Sequence, residues 1–372
     1  MDKPTEWHSV HVHYYEPDFY PLVLDAVQPL FTHLATPAYF VRHWRRGDHL
    51  RLQIRADRDW FDEVARPAVD GTVGAYLEEH PSRARIDERL LLAAHRELAH
   101  TEQDSGPLWP FRPDNSIHHQ PYDDRAEVLG SRAAVELFAD FHVAVMPITF
   151  ETIAAVRTGV SRMVLALDLL LAVAHARCAD PEGGGIRRGF VSLRSHADAM
   201  IASTPEPEAT RALLDAQYSR HRAYLTRRLR QVVAAADGTG PAIPFVRDWL
   251  AATEPISNRC AQLIRSGEIA ATEHERQDEK WDWAGIRHSR LHQLIYANDA
   301  YRDFLWAEPW FHHYRLMLNQ LYLHLHRLGC SAVERFQLCH LAACAVEEVY
   351  GLSALEHVER YVRAHPNSGA RT

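Results

Sequence analysis

Three side chains that can move protons lie on one side of a predicted helix in the last quarter of the chain. Ser289, His292 and Tyr296 occur at i, i+3 and i+7, a spacing that places them on one helical face. A hydroxyl, an imidazole and a phenol together offer donors, acceptors and a group that titrates near neutral pH. We interpret this stripe as a candidate site for acid–base chemistry. The alternative is a polar flank at the edge of a helical bundle.

A second polar stripe lies on the helix predicted over Pro309–Leu328. Arg315 and Asn319 follow one side of this helix beside its apolar face. A guanidinium and an amide can polarise a carbonyl oxygen or hold a departing group. We therefore count Arg315 and Asn319 with the first stripe as candidate catalytic residues.

Two runs of alternating residues flank a turn centred on Arg46 and Gly47 and predict a β-hairpin. Folding the runs around that turn places Arg42 opposite Arg51 on one sheet face, beside His49. Two guanidiniums directly across from each other repel, unless they splay into water or hold an anion between them. We interpret Arg42, His49 and Arg51 as candidate substrate-binding residues. The alternative is a solvated sheet face.

Histidines cluster in the strand predicted over residues 7–15 and raise the question of metal ligation. His11 and His13 share one strand face, whereas His8 points to the other. No third ligand is evident beside the pair, and a zinc site ordinarily takes at least three protein ligands. We therefore expect ordinary polar strand positions and no metal.

The composition argues against several classes of chemistry. The 372 residues include 41 basic side chains, of which only Lys3 and Lys280 are lysines. A Schiff-base enzyme needs a positioned lysine, and a P-loop needs one after a glycine-rich turn. Neither lysine stands in such a setting. The formal net charge of −8 argues against general coating of nucleic acid.

The sequence shows no sign of secretion or membrane insertion. Its N-terminus lacks a charged-then-apolar signal pattern. The apolar run Met163–Ala174 is too short to span a bilayer and contains Asp168, so we predict a buried helix there. Five cysteines show no paired zinc spacing and suit a reducing compartment. We expect a cytoplasmic protein with no membrane partner.

A strand, a helix over Tyr20–Leu34 and the hairpin over residues 39–56 open the chain, and helices dominate thereafter. The stretch Asp104–Asp124 is rich in Pro, Asn and His and predicts a long loop. The later helices are predicted over Arg58–Glu79, Ile86–Glu102, Ser131–Phe141, Phe150–Cys178, Glu206–Ala235, Ile243–Ser266, Pro309–Leu328 and Val333–Tyr350. We predict an α+β fold, with a small, mostly antiparallel N-terminal sheet packed on a large helical body. We expect a single domain over residues 1–372, sheet-rich over 1–57 and mainly helical over 58–363.

Five segments, in this order, resemble the thiopeptide-type bacteriocin biosynthesis family, which is related to the glutamate-elimination domain of lantibiotic dehydratases. The segments are WHSVHVHYY (7–15), YFVRHWRRGDHLRLQI (39–54), YDDRAEVLGSRAAVELF (122–138), GFVSLRSHADAM (189–200) and YRLMLNQLYLHLHRLGCSAVERFQLCHLAACAVEEVYG (314–351). The resemblance therefore covers nearly the whole chain. It implies an elimination-domain-like fold.

Two branches of that family differ in their late helix. Glutamate eliminases, which leave dehydroamino acids from glutamylated Ser or Thr, typically carry a His-Met…Asn-Arg-Leu signature there. This chain has Tyr314 in place of the histidine and Gln320 in place of the arginine. The departure looks like the pyridine synthases. Those enzymes join two dehydroalanines in a formal aza-[4+2] cycloaddition, then lose water and the leader peptide to form the pyridine and the macrocycle.

The resemblance implies a cofactor-independent enzyme that acts on a modified precursor peptide with its leader. Other biosynthetic enzymes are further candidate partners, and no nucleic acid is expected, tRNA included. The Ser/His/Tyr stripe would then shuttle protons, while the hairpin residues would hold the substrate or the leader, and both groups would meet over the bound peptide. Two alternatives remain open: a stand-alone glutamate eliminase and a non-catalytic leader-binding partner.

Overall fold

The chain divides into two compact units in the computed structural model, which describes residues 3–102, 104–180, 184–270 and 289–367. Unit 1 comprises Met1–Asp124 and Thr149–Gly159, and unit 2 comprises Arg125–Ile148 and Val160–Thr372. Lys280 lies outside the described residues. The organisation as a single domain stays a prediction, and each unit is described by itself.

Unit 1 is built on a four-stranded antiparallel sheet in the order β2-β3-β1-β4. The strands are β1 (Glu6–His13), β2 (Ala38–His43), β3 (His49–Ala56) and β4 (Ser116–Gln120). One face carries Val10, Leu52 and Phe40, all fully buried. Val10 and Leu52 alternate with polar residues along their strands, as expected for a sheet with one apolar face. The α+β prediction is confirmed.

The predicted hairpin forms, but its register is one residue from the prediction. Arg42 pairs with Leu50 and Arg51 pairs with Val41, so the two arginines point to opposite faces of the sheet. The expectation that their guanidiniums face each other is therefore wrong. Five residues, with Arg46 and Gly47 both at positive φ, connect β2 to β3 instead of a two-residue turn. A register shift of one residue moves every side chain of a strand to the other face.

The stretch Asp104–Asp124 is not entirely a loop, because Ser116–Gln120 forms strand β4 on the edge beside β1. Its sequence, SIHHQ, is short and polar, and all five residues are half-buried. Strand formation here depends on hydrogen bonds to a partner more than 100 positions earlier in the sequence. Local patterns carry no information on such pairing.

Helices make up most of the two units, and most of the predicted helices are among them. They are α1 (Tyr20–Leu22), α2 (Gln28–Leu34), α3 (Arg58–Trp60), α4 (Arg66–Val69), α5 (Ala75–Glu79), α6 (Glu88–Glu102), α7 (Ala126–Leu129), α8 (Arg132–Ala144), α9 (Met146–Arg157), α10 (Arg162–Ala176), α11 (Ile186–Ala202), α12 (Pro207–Ala236), α13 (Val246–Arg265), α14 (Arg290–Tyr296), α15 (Asp299–Ala307), α16 (Pro309–Arg327), α17 (Ala332–Tyr350) and α18 (Ala354–Ala364). One π-helical turn joins α1 to α2, and two more join α3 to α4 and α4 to α5. The predicted helices over Tyr20–Leu34 and Arg58–Glu79 are thereby confirmed.

One predicted helix, Phe150–Cys178, is two helices in the structure. The chain leaves helical geometry after α9 and re-enters it at α10, with Gly159 at φ 107° between them. Ser161 caps α10 by accepting a hydrogen bond from the Val164 backbone N–H. The segment 157–162 that joins the two helices is mostly polar and contains a glycine, and the prediction overlooked this signal, because apolar periodicity alone does not show where a buried helix ends.

Helix α10 is the buried helix that its apolar sequence predicts, with Leu165–Ala174 buried throughout. Asp168 lies among these residues at 3% exposure. Arg228 of α12 donates hydrogen bonds from Nε and from a terminal nitrogen to the two Asp168 carboxylate oxygens, the first at 2.7 Å. This bidentate pair neutralises the charge that burial would otherwise make costly.

Helices α10 and α11 approach closely at Gly189. A Cβ atom at this position would lie 2.0 Å from the Ala174 carbonyl oxygen, so no side chain fits. Tyr314 of α16 donates a hydrogen bond to the Gly189 carbonyl at 2.9 Å. Gly189 therefore sets the spacing of three helices around the N-terminal half of α11.

Among the described residues, no individual helix combines the length and apolar character that a membrane crossing requires. Two bent helix pairs, α8 with α9 and α17 with α18, meet that standard only when each pair is taken together.

Replacing Gly189 with alanine should destabilise the protein, because the added methyl group would overlap the backbone of α10. We expect Gly189→Ala to lower the free energy of unfolding by about 1–3 kcal/mol, measured by urea denaturation. Gly71→Ala is the matched control, since a Cβ there meets nothing within 4 Å. Equal stability of the two variants would contradict the close crossing of α10 and α11.

Candidate functional site

A cavity of about 1250 Å³ opens among helices α11, α12, α14, α17 and α18 of unit 2. Its polar lining includes Arg194, Asp198, Asp215, Ser289, Cys344 and Glu347. Pockets that hold drug-sized ligands have volumes of roughly 300–1,000 Å³, so this cavity has room for a segment of peptide. Ser289, a predicted catalytic residue, forms part of its wall.

Ser289 occupies the N-cap position of α14, yet among the described residues its hydroxyl caps nothing. Its Oγ instead lies 2.8 Å from His292 Nδ1. The other ring nitrogen, His292 Nε2, lies 3.0 Å from the Ser195 hydroxyl of α11. One hydroxyl donates to the imidazole and the other accepts from it, which defines a proton relay of Ser289, His292 and Ser195.

Burial lowers the pKa of His292, while the negative charge of Asp198 acts in the opposite direction. The imidazole is therefore neutral at pH 7, with one protonated and one unprotonated nitrogen. In this state it can take a proton at one nitrogen and release one at the other. Such a relay moves protons without a net change in charge.

The rest of the predicted α14 stripe follows the same face. The Tyr296 ring lies 6.2 Å from the His292 ring, centroid to centroid, with the planes 20° apart. The helical spacing that grouped Ser289, His292 and Tyr296 therefore brings them together. Their catalytic role stays a prediction.

The second predicted stripe, on α16, is placed differently. The Arg315 guanidinium lies 4.6 Å from the centre of the Trp306 ring, a cation–π contact, and Asn319 is exposed. Farther along α16, the Tyr322 hydroxyl contacts His196 Nδ1 of α11 at 2.6 Å. The catalytic roles of Arg315 and Asn319 stay predictions.

The polar residues of α11 were not among the predicted site residues. These residues contact groups on α14, α16, α17 or α12, and two of them line the cavity. They are Arg194 and Asp198, which line it, and Ser195 and His196. The available signal was the run RSHAD between apolar positions of a segment over which no helix was predicted. Polar residues concentrated in the middle of a largely buried helix indicate a site or a network.

Arg194 holds a polar network on one wall of the cavity. Its guanidinium pairs with the Glu347 carboxylate and donates to His340 Nδ1 at 3.2 Å and to Cys344 Sγ at 3.2 Å. Because His340 Nδ1 accepts, its Nε2 carries the proton and donates to Asp215 at 2.9 Å. Burial lowers the pKa of His340 to about 4, so this imidazole is also neutral.

The hairpin residues belong to unit 1. Arg42 lies over the Phe19 ring, 4.3 Å from its centre, on the apolar face of the sheet. Arg51 lies on the opposite face, where its Nε donates to His49 Nε2 at 3.3 Å and its terminal nitrogen lies 3.6 Å from Asp123. His49 and Arg51 therefore form one group, and Arg42 does not join it. Whether this group meets the α14 stripe over a peptide stays a prediction.

The face that carries Arg51 is rich in histidine. His11, His13, His43, His49 and His118 all point to it from the four strands. His13 and His49 are 2% and 5% exposed. Burial, reinforced by neighbouring positive groups, lowers the pKa of His11 to about 3 and that of His13 to about 2. These imidazoles are neutral at pH 7.

Comparison with known proteins identifies the family of this chain. Residues 7–346 match the family described as lantibiotic biosynthesis dehydratase C-term, a span that includes every candidate residue named above. The chain belongs to this family. Both the lantibiotic dehydratase resemblance and the predicted fold are thereby confirmed.

Two solved structures of similar size share the fold of this family member. The pyridine synthase TbtD from thiomuracin biosynthesis is 35% identical, with a TM-score of 0.76 over 93% of this chain and 99% of that one. TsrL is 23% identical, with a TM-score of 0.67 over 95% of this chain and 98% of that one, a likeness that shows the fold alone. No curated protein sequence matches the chain.

Removing the half-buried carboxylate partner of Arg194 should cost stability, because the largely buried guanidinium would be left uncompensated in the cavity wall. We expect Glu347→Gln to lower the free energy of unfolding by about 3 kcal/mol, measured by urea denaturation. Glu348→Gln is the control, since Glu348 pairs with Arg222 at the surface and surface pairs contribute little. A larger effect at Glu348 would show that the network does not hold the helices together.

Proposed function

We propose that this protein forms the pyridine ring of a thiopeptide. It joins two dehydroalanines of a modified, leader-bearing precursor peptide in a formal aza-[4+2] cycloaddition, and then eliminates water and the leader. The observation that carries this proposal is the similarity to the pyridine synthase TbtD, which is 35% identical and matched over 93% of this chain and 99% of that one.

The late helix supports this activity over glutamate elimination. Tyr314 stands where the eliminase signature has a histidine, and its hydroxyl is used by the hydrogen bond to the Gly189 carbonyl. Burial raises the pKa of Tyr314 well above its usual value, so it cannot replace a histidine as a base near neutral pH. A leader-binding protein without catalysis would have no need of the buried relay on α14.

The first chemical requirement is a change of tautomer in the substrate. The amide preceding one dehydroalanine must move its proton from nitrogen to oxygen, which gives a 2-azadiene. The relay of Ser289, His292 and Ser195 can accept a proton at one end and deliver one at the other. In this role Ser289, which lines the cavity, contacts the amide, and Ser195 supports His292 from behind.

Ring closure forms two carbon–carbon bonds. One joins the two methylene carbons of the dehydroalanines, and the other joins the imidic-acid carbon to the α-carbon of the second dehydroalanine. This step transfers no proton, so the protein acts mainly by holding two flexible groups in contact. Positioning of this kind supplies about 7–11 kcal/mol in favourable intramolecular reactions.

Two eliminations then make the ring aromatic. Water leaves with the former amide oxygen and a proton from one ring methylene. The leader leaves as its carboxamide, with the nitrogen of the second dehydroalanine and a proton from the other methylene. Each elimination needs a base and an acid, for which His292 and Tyr296 are the proposed groups. The sequence of steps is redox-neutral and requires no electron acceptor.

The proposed contacts of the leader peptide lie in unit 1. Arg51 offers a guanidinium donor in unit 1, beside His49, whose Nε2 accepts from it, and Arg42 offers a cation on the other face of the same hairpin. Carboxylates or amide oxygens of a peptide suit such donors. The hairpin and the stretch Asp104–Asp124 are the proposed leader contacts.

The variants Ser289→Ala and Tyr296→Phe should turn over a synthetic leader peptide with two dehydroalanines at least about 100-fold more slowly, because Ser289 is the cavity end of the proton relay and Tyr296 is a proposed acid or base of the eliminations. Binding of the peptide should change little. Mass spectrometry of the macrocycle and the released leader carboxamide measures the rate. Ser266→Ala and Tyr224→Phe, both at exposed positions, serve as controls.

The same assay separates the alternatives. Formation of dehydroalanine from a glutamylated serine, without ring closure, would identify an eliminase. Leader binding with neither product would identify a binding partner. Full activity in both Ser289→Ala and Tyr296→Phe would place the active site elsewhere.

The pH profile of kcat/KM tests the role of His292. The relay needs a neutral imidazole, and burial lowers the pKa of His292, so activity should persist below pH 6.5 and fall only at lower pH. Asp198→Asn removes the charge that favours the protonated ring. We therefore expect this variant to move the acidic limb to still lower pH, whereas a limb that does not move would argue against His292.

A further inference from the structure

Three imidazoles converge on the histidine-rich face of unit 1. His11 and His13 come from β1 and His49 from β3, and the register pairs His13 directly with His49. The His49 ring lies 4.8 Å from the His11 ring and 4.5 Å from the His13 ring, centroid to centroid. One nitrogen from each ring can be chosen so that all three lie within 4.8 Å of one another. The sequence showed no third ligand beside His11 and His13, and β3 supplies it.

The separation of these nitrogens is close to that of a metal site. Tetrahedral zinc with Zn–N bonds of about 2.0–2.1 Å requires nitrogens about 3.3 Å apart. All three side chains stand on two adjacent strands of one sheet, so binding would require side-chain rotations that bring the nitrogens closer together. Two of the three, His13 and His49, are at least 95% buried.

The hydrogen bonds of the cluster also favour ligation. His49 Nδ1 lies 2.8 Å from the Gly47 carbonyl and donates to it, so its unshared electron pair is on Nε2. A histidine ligand is commonly oriented in this way by a carbonyl behind it. His13 Nδ1 is buried and has no hydrogen-bond partner among the described residues. A buried polar atom without a partner calls for an explanation, and a bound cation provides one.

Positive neighbours oppose a cation here: Arg45, Arg46 and Arg112 act on the three rings from nearby, and Arg51 contacts the cluster directly. Arg51 donates from Nε to His49 Nε2 at 3.3 Å, and this long hydrogen bond would have to break. The positive charge of Arg51 also repels a second cation, although Asp123, 3.6 Å away, offsets part of that repulsion. Removal of Arg51 should therefore strengthen metal binding.

We propose that His11, His13 and His49 bind one late first-row divalent cation, with Zn²⁺ as the representative ion. Three imidazoles without a carboxylate suit zinc, copper or nickel and do not suit magnesium or calcium. Three protein ligands leave a fourth position for water or a substrate oxygen. The inference does not rest on the proposed pyridine-forming activity, and its test measures metal binding alone.

The test uses the full-length, tag-free protein after removal of metal. Zn²⁺ is titrated against a chromophoric chelator, and we expect one tight site per chain that a large excess of Mg²⁺ does not displace. His11→Asn, His13→Asn and His49→Asn should each weaken binding by about 100-fold or more, since each leaves only two ligands. Control variants His221→Asn, at an exposed histidine, and Cys344→Ser, near His340, should bind as the parent does.

Two further measurements guard against a variant that fails to fold. Circular dichroism checks each protein, and Co²⁺ bound to the parent should show the visible absorption of a tetrahedral nitrogen site. In the opposite direction, Arg51→Met should bind Zn²⁺ more tightly than the parent, a gain that unfolding cannot produce. Absence of a tight site, unchanged affinity in the three histidine variants, or unchanged affinity in folded Arg51→Met would each overturn the assignment.

Discussion

The close crossing of α10 and α11 at Gly189 is the constraint on which the arrangement of unit 2 depends. Backbone meets backbone there, because any Cβ at position 189 would lie 2.0 Å from the Ala174 carbonyl oxygen. Helix α10 is apolar and buried, so it provides a fixed support for the polar side chains that α11 carries. Arg194 and Ser195 follow Gly189 by about one and a half helical turns along α11. Their distances to Glu347 and His292 therefore follow from rigid packing, which is the condition for a well-positioned site.

Much of this architecture could be predicted from the sequence, because it depends on local periodicity. The continuous helices 20–34 and 58–79 and the strands β1, β2 and β3 lie where the apolar spacing placed them. The failures have non-local causes. The five-residue connection between β2 and β3 sets the register through two residues at positive φ, and composition does not distinguish it from a tighter turn. Strand β4 exists through its pairing with β1.

The same division applies to the candidate site. The face shared by Ser289, His292 and Tyr296 follows from helical geometry, so it could be predicted without a structure. Ser195 contacts His292 from 97 positions away, and no spacing rule connects the two residues. Of the three clustered histidines, the sequence could group only His11 and His13, which share a face of one strand. His49 joins them from a neighbouring strand. The error in hairpin register concerned Arg42, and it left His49 and Arg51 on the face where they were expected.

The hydrogen bond from Tyr314 to the Gly189 carbonyl has a consequence for redesign of this protein. It ties α16 to α11 beside the point where α11 and α10 meet backbone to backbone. Any other side chain at position 314 would lose that phenolic donor and leave the carbonyl to find a new partner. An engineered change of chemistry at position 314 would therefore require repacking of the crossing at the same time.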